Sequence, residues 1–339
     1  MTKDLKKSGT QYAYAVSRIR AIEKKLLDSV KLDRMVDAKN SQEALKVLQE
    51  ADYGSPSSDF ENIWQYENLL KEEHKKSYNL LREIAPEPDI FDLFLLSNDY
   101  HNIKVILKAE FSGQKENNIL IESGSIPVER LKAMITDRNI SGMPEIMKKA
   151  VEECIDNFGR TSDPQAVDLI LDKALFAHMK ELSLASGSKF IKDLVTILTD
   201  LANIKIFLRV KNLNKTKAFI QKILLPGGSI EGKTFINCLD TQLDVFIDAL
   251  RYTVYGAALE EGIESFRASG SLTEFEKQCD NYVMAYLKKS KYVTFGIEPL
   301  IGFLMAKETE IKNARIVMVG KLNNIPGDII RERLREAYV

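Results

Sequence analysis

This chain has little proline, little cysteine and no dominant charge, and each shortage narrows what it can be. Nine prolines in 339 residues leave long stretches uninterrupted, and proline is the residue that most reliably stops a helix. Runs alternating apolar and polar at period two are equally few, which argues against a sheet protein. Cys154, Cys238 and Cys279 are isolated and odd in number, so they form no disulfide framework and fit buried thiols in a reducing compartment. His74, His101 and His178 lie far apart, with no H-E-x-x-H pair and no cysteine at zinc spacing, so no metal site is expected. His101 reads as an incidental surface residue. The 48 basic and 49 acidic side chains nearly cancel, which leaves no bulk attraction to nucleic acid or an anionic membrane. The longest apolar-looking stretch, Pro299 to Ala306, falls far short of the roughly twenty residues that span a bilayer. The first twenty residues, MTKDLKKSGTQYAYAVSRIR, carry basic residues without the apolar centre of a signal peptide. A soluble cytoplasmic protein without a cofactor is expected. No nucleophile stands beside a base in a catalytic arrangement, so no catalytic residue is expected either.

What the chain does have is helical periodicity between short breaks, and the expected fold class is all-α. Tyr12 to Val30 reads as one helix, with Val16, Ile19, Ile22, Leu26 and Leu27 on its apolar side. Ser41 precedes a helix carrying Ala44, Leu45 and Leu48 inward, stopped at Gly54-Ser55-Pro56. Phe60 to Ile84 reads as a charged amphipathic helix, with Trp64 packed into the core or, as the alternative, set against a partner. Asp163-Pro164 opens another, an acid before a first-turn proline. Leu239 to Phe266 reads as a single long helix ending before Gly270.

Three of these helical stretches carry the same pattern, roughly a hundred residues apart. Asn102-Ile103-Lys104, Asn203-Ile204-Lys205 and Asn313-Ala314-Arg315 each follow an acid three residues earlier: Asp99, Asp200 and Glu310. Leu93, Leu194 and Leu304 align ahead of them, then Tyr100, Leu201 and Ile311, then Leu107, Leu208 and Met318. These positions recur every seven residues and make one apolar line on a helix, as do Ile90, Ile191 and Ile301 one turn further back. The acid and the asparagine fall on the opposite side. Gly124-Ser125-Ile126 recurs as Gly228-Ser229-Ile230, and both read as helix starts capped by serine. Asn324-Ile325-Pro326 reads as a weaker third version, and Arg18-Ile19-Arg20 as a partial signature helix. A chain with internal copies is read as an assembly of repeats. Three helical repeat units are expected: 1–113 with an N-terminal closing helix, 114–215, and 216–339. If they surround a common axis, the offset of the first and last segments closes a ring. Lys104, Lys205 and Arg315 stand out because each lies on the otherwise apolar face. Such a charge needs a path to water along its stem, a partner acid, or a shared opening.

Gly227-Gly228-Ser229-Ile230-Glu231-Gly232-Lys233-Thr234 satisfies the phosphate-loop pattern G-x-x-x-x-G-K-[ST]. Such loops surround phosphate with backbone amides at a helix N-terminus, after a buried strand. Here Lys217 to Leu225 has helical spacing instead, and Glu231 would place a carboxylate against polyphosphate. Gly227, Gly232, Lys233 and Thr234 are therefore assigned to a helix cap rather than a nucleotide site.

The stretch Glu298-Pro299-Leu300-Ile301-Gly302, continuing through Ala306-Lys307-Glu308, Glu310 to Arg315 and Gly320-Lys321-Leu322, resembles the C-terminal signature of one family. The family is the C subunit of bacterial and archaeal V/A-type ATPases, whose counterpart in the eukaryotic vacuolar enzyme is the d subunit. Ile330 to Leu334, Tyr14 to Arg20 and Asp99 to Lys104 resemble it as well, in order and across nearly the whole chain. The resemblance implies a funnel of three similar helical domains about a pseudo-threefold axis. It implies no active site. It implies a non-catalytic rotor subunit on the cytoplasmic face of the membrane, between shaft subunits of the D and F type and the membrane proteolipid ring, in ATP-linked proton or sodium transport. Lys104, Lys205 and Arg315 are then expected at the interface with the shaft. Two other readings stay open on the residues alone: a helical-repeat scaffold for other partners, and a nucleotide-binding protein through Gly227 to Thr234.

Overall fold

Each of the three asparagines lies inside one of the long helices of the protein. A computed structural model describes residues 9–54, 66–113 and 119–339, with sixteen α-helices and no strand among them. No helix of the described residues is long and apolar enough to cross a membrane. The chain divides into two compact units, one of Met1–Pro88 with Ala258–Val339 and one of Asp89–Ala257. Trp64 and the start of the stretch from Phe60 lie outside the described residues.

The first unit is organised on α15 (Glu298–Leu322), which packs against α1 (Ala13–Glu23), α2 (Ser29–Asp37), α3 (Ser41–Glu50), α4 (Tyr66–Ile84), α14 (Thr273–Lys288) and α16 (Gly327–Arg333). Its core joins Leu32, Met35 and Leu48 from the start of the chain to Ile311, Val317 and Met318 near the end. Helices α2 and α3 begin where an Asp28 and an Asn40 side chain accept from Lys31 and Glu43 amides, as N-caps should. The expected helix from Tyr12 to Val30 is two helices, broken between Glu23 and Ser29. The break lets the Leu27 amide turn toward α15, where Glu310 accepts it.

The second unit holds α5 (Asp92–Ser112), α6 (Val128–Thr136), α7 (Glu145–Thr161), α8 (Gln165–Ala185), α9 (Lys189–Asn212), α10 (Lys217–Ile223), α11 (Gly232–Cys238) and α12 (Leu243–Arg251). Helix α8 packs against α5, α7 and α9. Phe207, Phe235 and Phe246 form an aromatic cluster that ties α9, α11 and α12 together, with ring centroids 3.9–6.0 Å apart. The single helix expected from Leu239 to Phe266 is instead α12 followed by α13 (Gly256–Ser269), which runs across the unit boundary. The intervening turn delivers the Tyr255 hydroxyl to Asp200 at 2.8 Å. Asp163 does open α8 as expected, its carboxylate accepting from the Gln165 amide at 2.9 Å.

The apolar line of the repeat is buried in all three copies, from Leu93, Leu194 and Leu304 through Leu107, Leu208 and Met318. Ile90 is the exception: it sits half-buried in a 3₁₀ turn ahead of α5. All three cysteines are buried and free, and burial pushes the Cys154 thiol up to about 12. Because Leu194 is fully enclosed, Leu194→Ala should cost about 2–5 kcal/mol in a denaturant titration. A cost near zero would show that the line is not a packed core.

Candidate functional site

The side of the signature helix that holds the acid and the asparagine is as dry as its apolar line. Asp99, Asn102, Asp200, Asn203, Glu310 and Asn313 are all buried. A buried polar group is tolerated only with partners, and each asparagine finds the same two. Asn102 donates to the Ile121 carbonyl and accepts from the Ile121 amide. Asn203 does the same with Leu225, and Asn313 with Arg335. The six bonds measure 2.8–3.0 Å. A side-chain amide thus imitates one rung of a sheet and clamps the returning chain to the helix.

The acid holds the next stretch of that chain. Asp99 accepts from the Ser125 amide and hydroxyl and from the Ile126 amide. Asp200 accepts the equivalent set from Ser229 and Ile230, and the Tyr255 hydroxyl besides. In the third copy the chain being held comes from the other end of the sequence. Glu310 accepts from the Leu27 amide, the Tyr53 hydroxyl and the Lys307 ammonium. Leu27 precedes α2 by the same step by which Ile126 precedes α6 and Ile230 precedes α11. The position of Asn324-Ile325-Pro326 is accordingly different from the one read from sequence. It is the turn that ends α15, with Asn324 in the left-handed region, as Gly113 and Asn214 are at the same offset beyond the other two asparagines. Lys307 is itself buried, 2.6 Å from Glu310 and 3.2 Å from Glu73. Burial raises the Asp99 carboxyl above the ordinary carboxylate range despite its hydrogen bonds from Ser125 and Ile126.

Glycine is required where the chain meets the aspartates. A Cβ on Gly124 would lie 2.2 Å from an Asp99 oxygen, and one on Gly228 would lie 2.2 Å from an Asp200 oxygen. The same contacts dispose of the phosphate-loop pattern. The Ser229 and Ile230 amides that would face phosphate already bind Asp200. Lys233 pairs with Glu231 at 2.5 Å on the exposed surface, and the chain before the loop is α10, not a strand. The cap assignment needs correction too. Helices α6 and α11 start after Pro127 and Glu231, without a side-chain cap. Ser125 and Ser229 donate their hydroxyls to the acids.

The three basic residues are not buried. Lys104 reaches Asp172 on α8 at 2.5 Å, and Arg315 reaches Glu67 on α4 at 2.9 Å. Lys205 is half-buried and has no ion pair among the described residues. His101 is also half-buried, with a ring nitrogen 3.0 Å from the Ile119 carbonyl. His178 is buried against Tyr100, and burial lowers its pKa, which keeps it neutral. No group of histidine, cysteine and carboxylate side chains among the described residues is arranged to hold a metal.

Two measurements test the clamps. Asn203→Ala leaves a buried amide and carbonyl of Leu225 without partners and should cost at least about 2 kcal/mol, since each orphaned group costs about 1–3. Calorimetry with ATP or ADP and Mg²⁺ should show no saturable binding, and micromolar binding lost in Lys233→Ala would restore the nucleotide reading.

The sequence matches the family described as ATP synthase (C/AC39) subunit over residues 15–333. It is 26% identical to the C subunit of the V-type sodium ATPase of Enterococcus hirae, over 94% of this chain and 97% of that one. It is also 26% identical to the C subunit of the A-type ATP synthase of Methanocaldococcus jannaschii, over 95% of this chain and 86% of that one. The protein of the same name from Methanosphaera stadtmanae is 26% identical, over 95% and 87% respectively. The family and these relatives are all named as subunits of ATP synthases or ATPases. With the family matched across nearly its whole length, the chain belongs to the ATP synthase (C/AC39) subunit family.

Proposed function

We propose that this chain is the central-rotor subunit of a V/A-type rotary ATPase, on the cytoplasmic face of the membrane. There it joins the shaft subunits of the D and F type to the proteolipid ring and passes torque between them during ATP-linked proton or sodium transport. The observation that carries this reading is the family match over residues 15–333. The clamps supply a physical reason for the job. A coupling part must not yield in torsion, and close-packed interiors yield little. A carboxylate and an amide inside each signature helix hold the following segment by directional bonds, which resist sliding more than apolar contact alone. We further propose the three-unit organisation, 1–113, 114–215 and 216–339, about a common axis. In that arrangement Lys104, Lys205 and Arg315 face the shaft, with Lys205 contributing most because no carboxylate among the described residues neutralises it.

Co-expression with the shaft subunits and the proteolipid ring should give one complex containing all of them. A ring and shaft that assemble and couple without this chain would overturn the proposal. Lys205→Gln should weaken shaft binding several-fold at low salt, with the loss shrinking as salt rises. Melting temperatures of Lys104→Gln and Arg315→Gln should barely move, because pairs this exposed are worth about 0–1 kcal/mol. A binding defect independent of salt would remove the electrostatic role.

A further inference from the structure

Helix α8, QAVDLILDKALFAHMKELSLA, carries apolar residues on more than one side, between charges at Asp168, Asp172, Lys173, Lys180 and Glu181. Apolar side chains on a helix are ordinarily turned to the core. Here Leu169, Ile170, Ala174, Leu175, Phe176 and Ala177 are only half-buried. Ser162, Asp163 and Pro164 turn the chain back from α7, so the two packed helices run antiparallel. Between them, and bounded by Lys222 of α10 and Pro226 just after it, lies an open groove of about 500 Å³. Ile170, Ala174 and Ala177 from α8 line it together with Ile146 and Ala150 from α7. Its lining runs from Ile146 to Asn157 on one helix and from Ala166 to Ala177 on the other, about three turns or ~16 Å.

The rim of this groove is mostly cationic. Lys149 spends its charge on Glu145, 3.2 Å away. Lys173 and Lys222 have no ion pair among the described residues, and Glu153 is the one carboxylate on the lining. The larger cavity of the other unit, about 730 Å³, is of a different kind, because most of its cations are matched by carboxylates of the same lining. Its Lys75, without an ion pair among the described residues, stands with a Glu72 that has none either. Lys25 there meets Asp52, Arg18 meets Glu83, and Lys76 and Lys307 meet Glu73.

We propose that the groove between α7 and α8 receives an amphipathic helix of a partner subunit, with an apolar stripe set on Ile170, Ala174 and Ala177 and carboxylates beside Lys173 and Lys222. The helical form of the occupant follows from the groove's length and its two helical walls. A stripe at i, i+3 or i+4, and i+7 matches the spacing of the α8 residues it meets. The acidic flank follows from the two lysines that have no ion pair among the described residues. The inference rests on the proposed function only in where the partner is sought, namely within the rotary complex.

The test uses the full chain with Ala177→Cys, labelled with a photoreactive maleimide and assembled with the shaft subunits and proteolipid ring. Illumination should attach the label to one partner segment, and peptide mapping should find apolar residues at helical spacing flanked by Asp or Glu. Lys173→Glu with Lys222→Glu should cut that cross-link at least tenfold, Lys173→Arg with Lys222→Arg should keep it, and neither pair should shift the melting temperature of the free chain. Cross-links to lipid alone, to a basic or irregular segment, or unaffected by the Glu pair would overturn the inference and leave the rotor assignment standing. Failure of even the unlabelled chain to enter the complex would overturn both.

Discussion

A carboxylate removed from water must be given donors, and this fold meets that demand at three places with backbone amides. Burying an acid without them would cost several kcal/mol, so the loop that follows each signature helix is not free to choose its path. Asp200 takes amide bonds from Ser229 and Ile230, hydroxyl bonds from Ser229 and Tyr255, and sits against a glycine that only a missing Cβ allows. The acid therefore determines where the loop lies, the loop determines where the next short helix starts, and that helix determines which apolar side chains reach the signature helix. Local geometry in each copy follows from one polar residue inside a helix that is otherwise a packing element.

The third copy shows what happens when the glycine is lost. The residues ahead of α2 are Lys25-Leu26-Leu27 where the other copies have Gly-Ser-Ile. With side chains at those positions the serine hydroxyl is gone, and one amide, that of Leu27, meets the acid where two do in the other copies. The acid is one methylene longer, Glu310, and it takes the Leu27 amide and the Tyr53 hydroxyl instead. Tyr53 and Tyr255 play the same part in their copies: both are buried and both donate to the acid. Burial, and then the neighbouring Glu310, hold the Tyr53 hydroxyl well above its ordinary range, so it stays a donor. The buried Lys307 adds a cation between Glu310 and Glu73 and over the Tyr53 ring, 5.1 Å from its centroid. This ionic group joins segments from the two ends of the sequence. Removing one member of such a group leaves the others uncompensated, which makes the joint hard to open by small steps.

Much of this was legible in the residues, for reasons that differ from one feature to the next. The all-helical class followed from periodicity, and the family match agrees with the resemblance carried by Glu298 to Leu322. The acids and asparagines were visible as a repeat, and so was Gly-Ser-Ile, but their pairing was not. Polar residues opposite an apolar line ordinarily face water, and nothing local says that Asp99 and Asn102 are enclosed. The signal available was that the two motifs recur together, at separations that change little between copies. Helix ends were less legible. The break after Glu23 and the turn at Tyr252 to Tyr255 contain neither proline nor glycine within them, because tertiary bonds to Glu310 and Asp200 shape them. A hydroxyl beside a helix start also has two uses, and Ser125 and Ser229 take the one that sequence spacing does not favour, donating to an acid rather than capping a helix.

The basic residues on the signature helices show how the same position is used differently once the frame is set. Lys104 and Arg315 are neutralised by Asp172 and Glu67, each supplied by a long helix packed alongside. These pairs are partly exposed, so they contribute little to stability and chiefly fix the direction of a long side chain. Lys205 occupies the equivalent place without an ion pair among the described residues. The repeat thus equips three sites with a cation and leaves one of them unspent. The clamps constrain the buried side of each signature helix, whereas surface charge is free to differ between copies, because changing one carboxylate on a neighbouring helix alters it without disturbing the core.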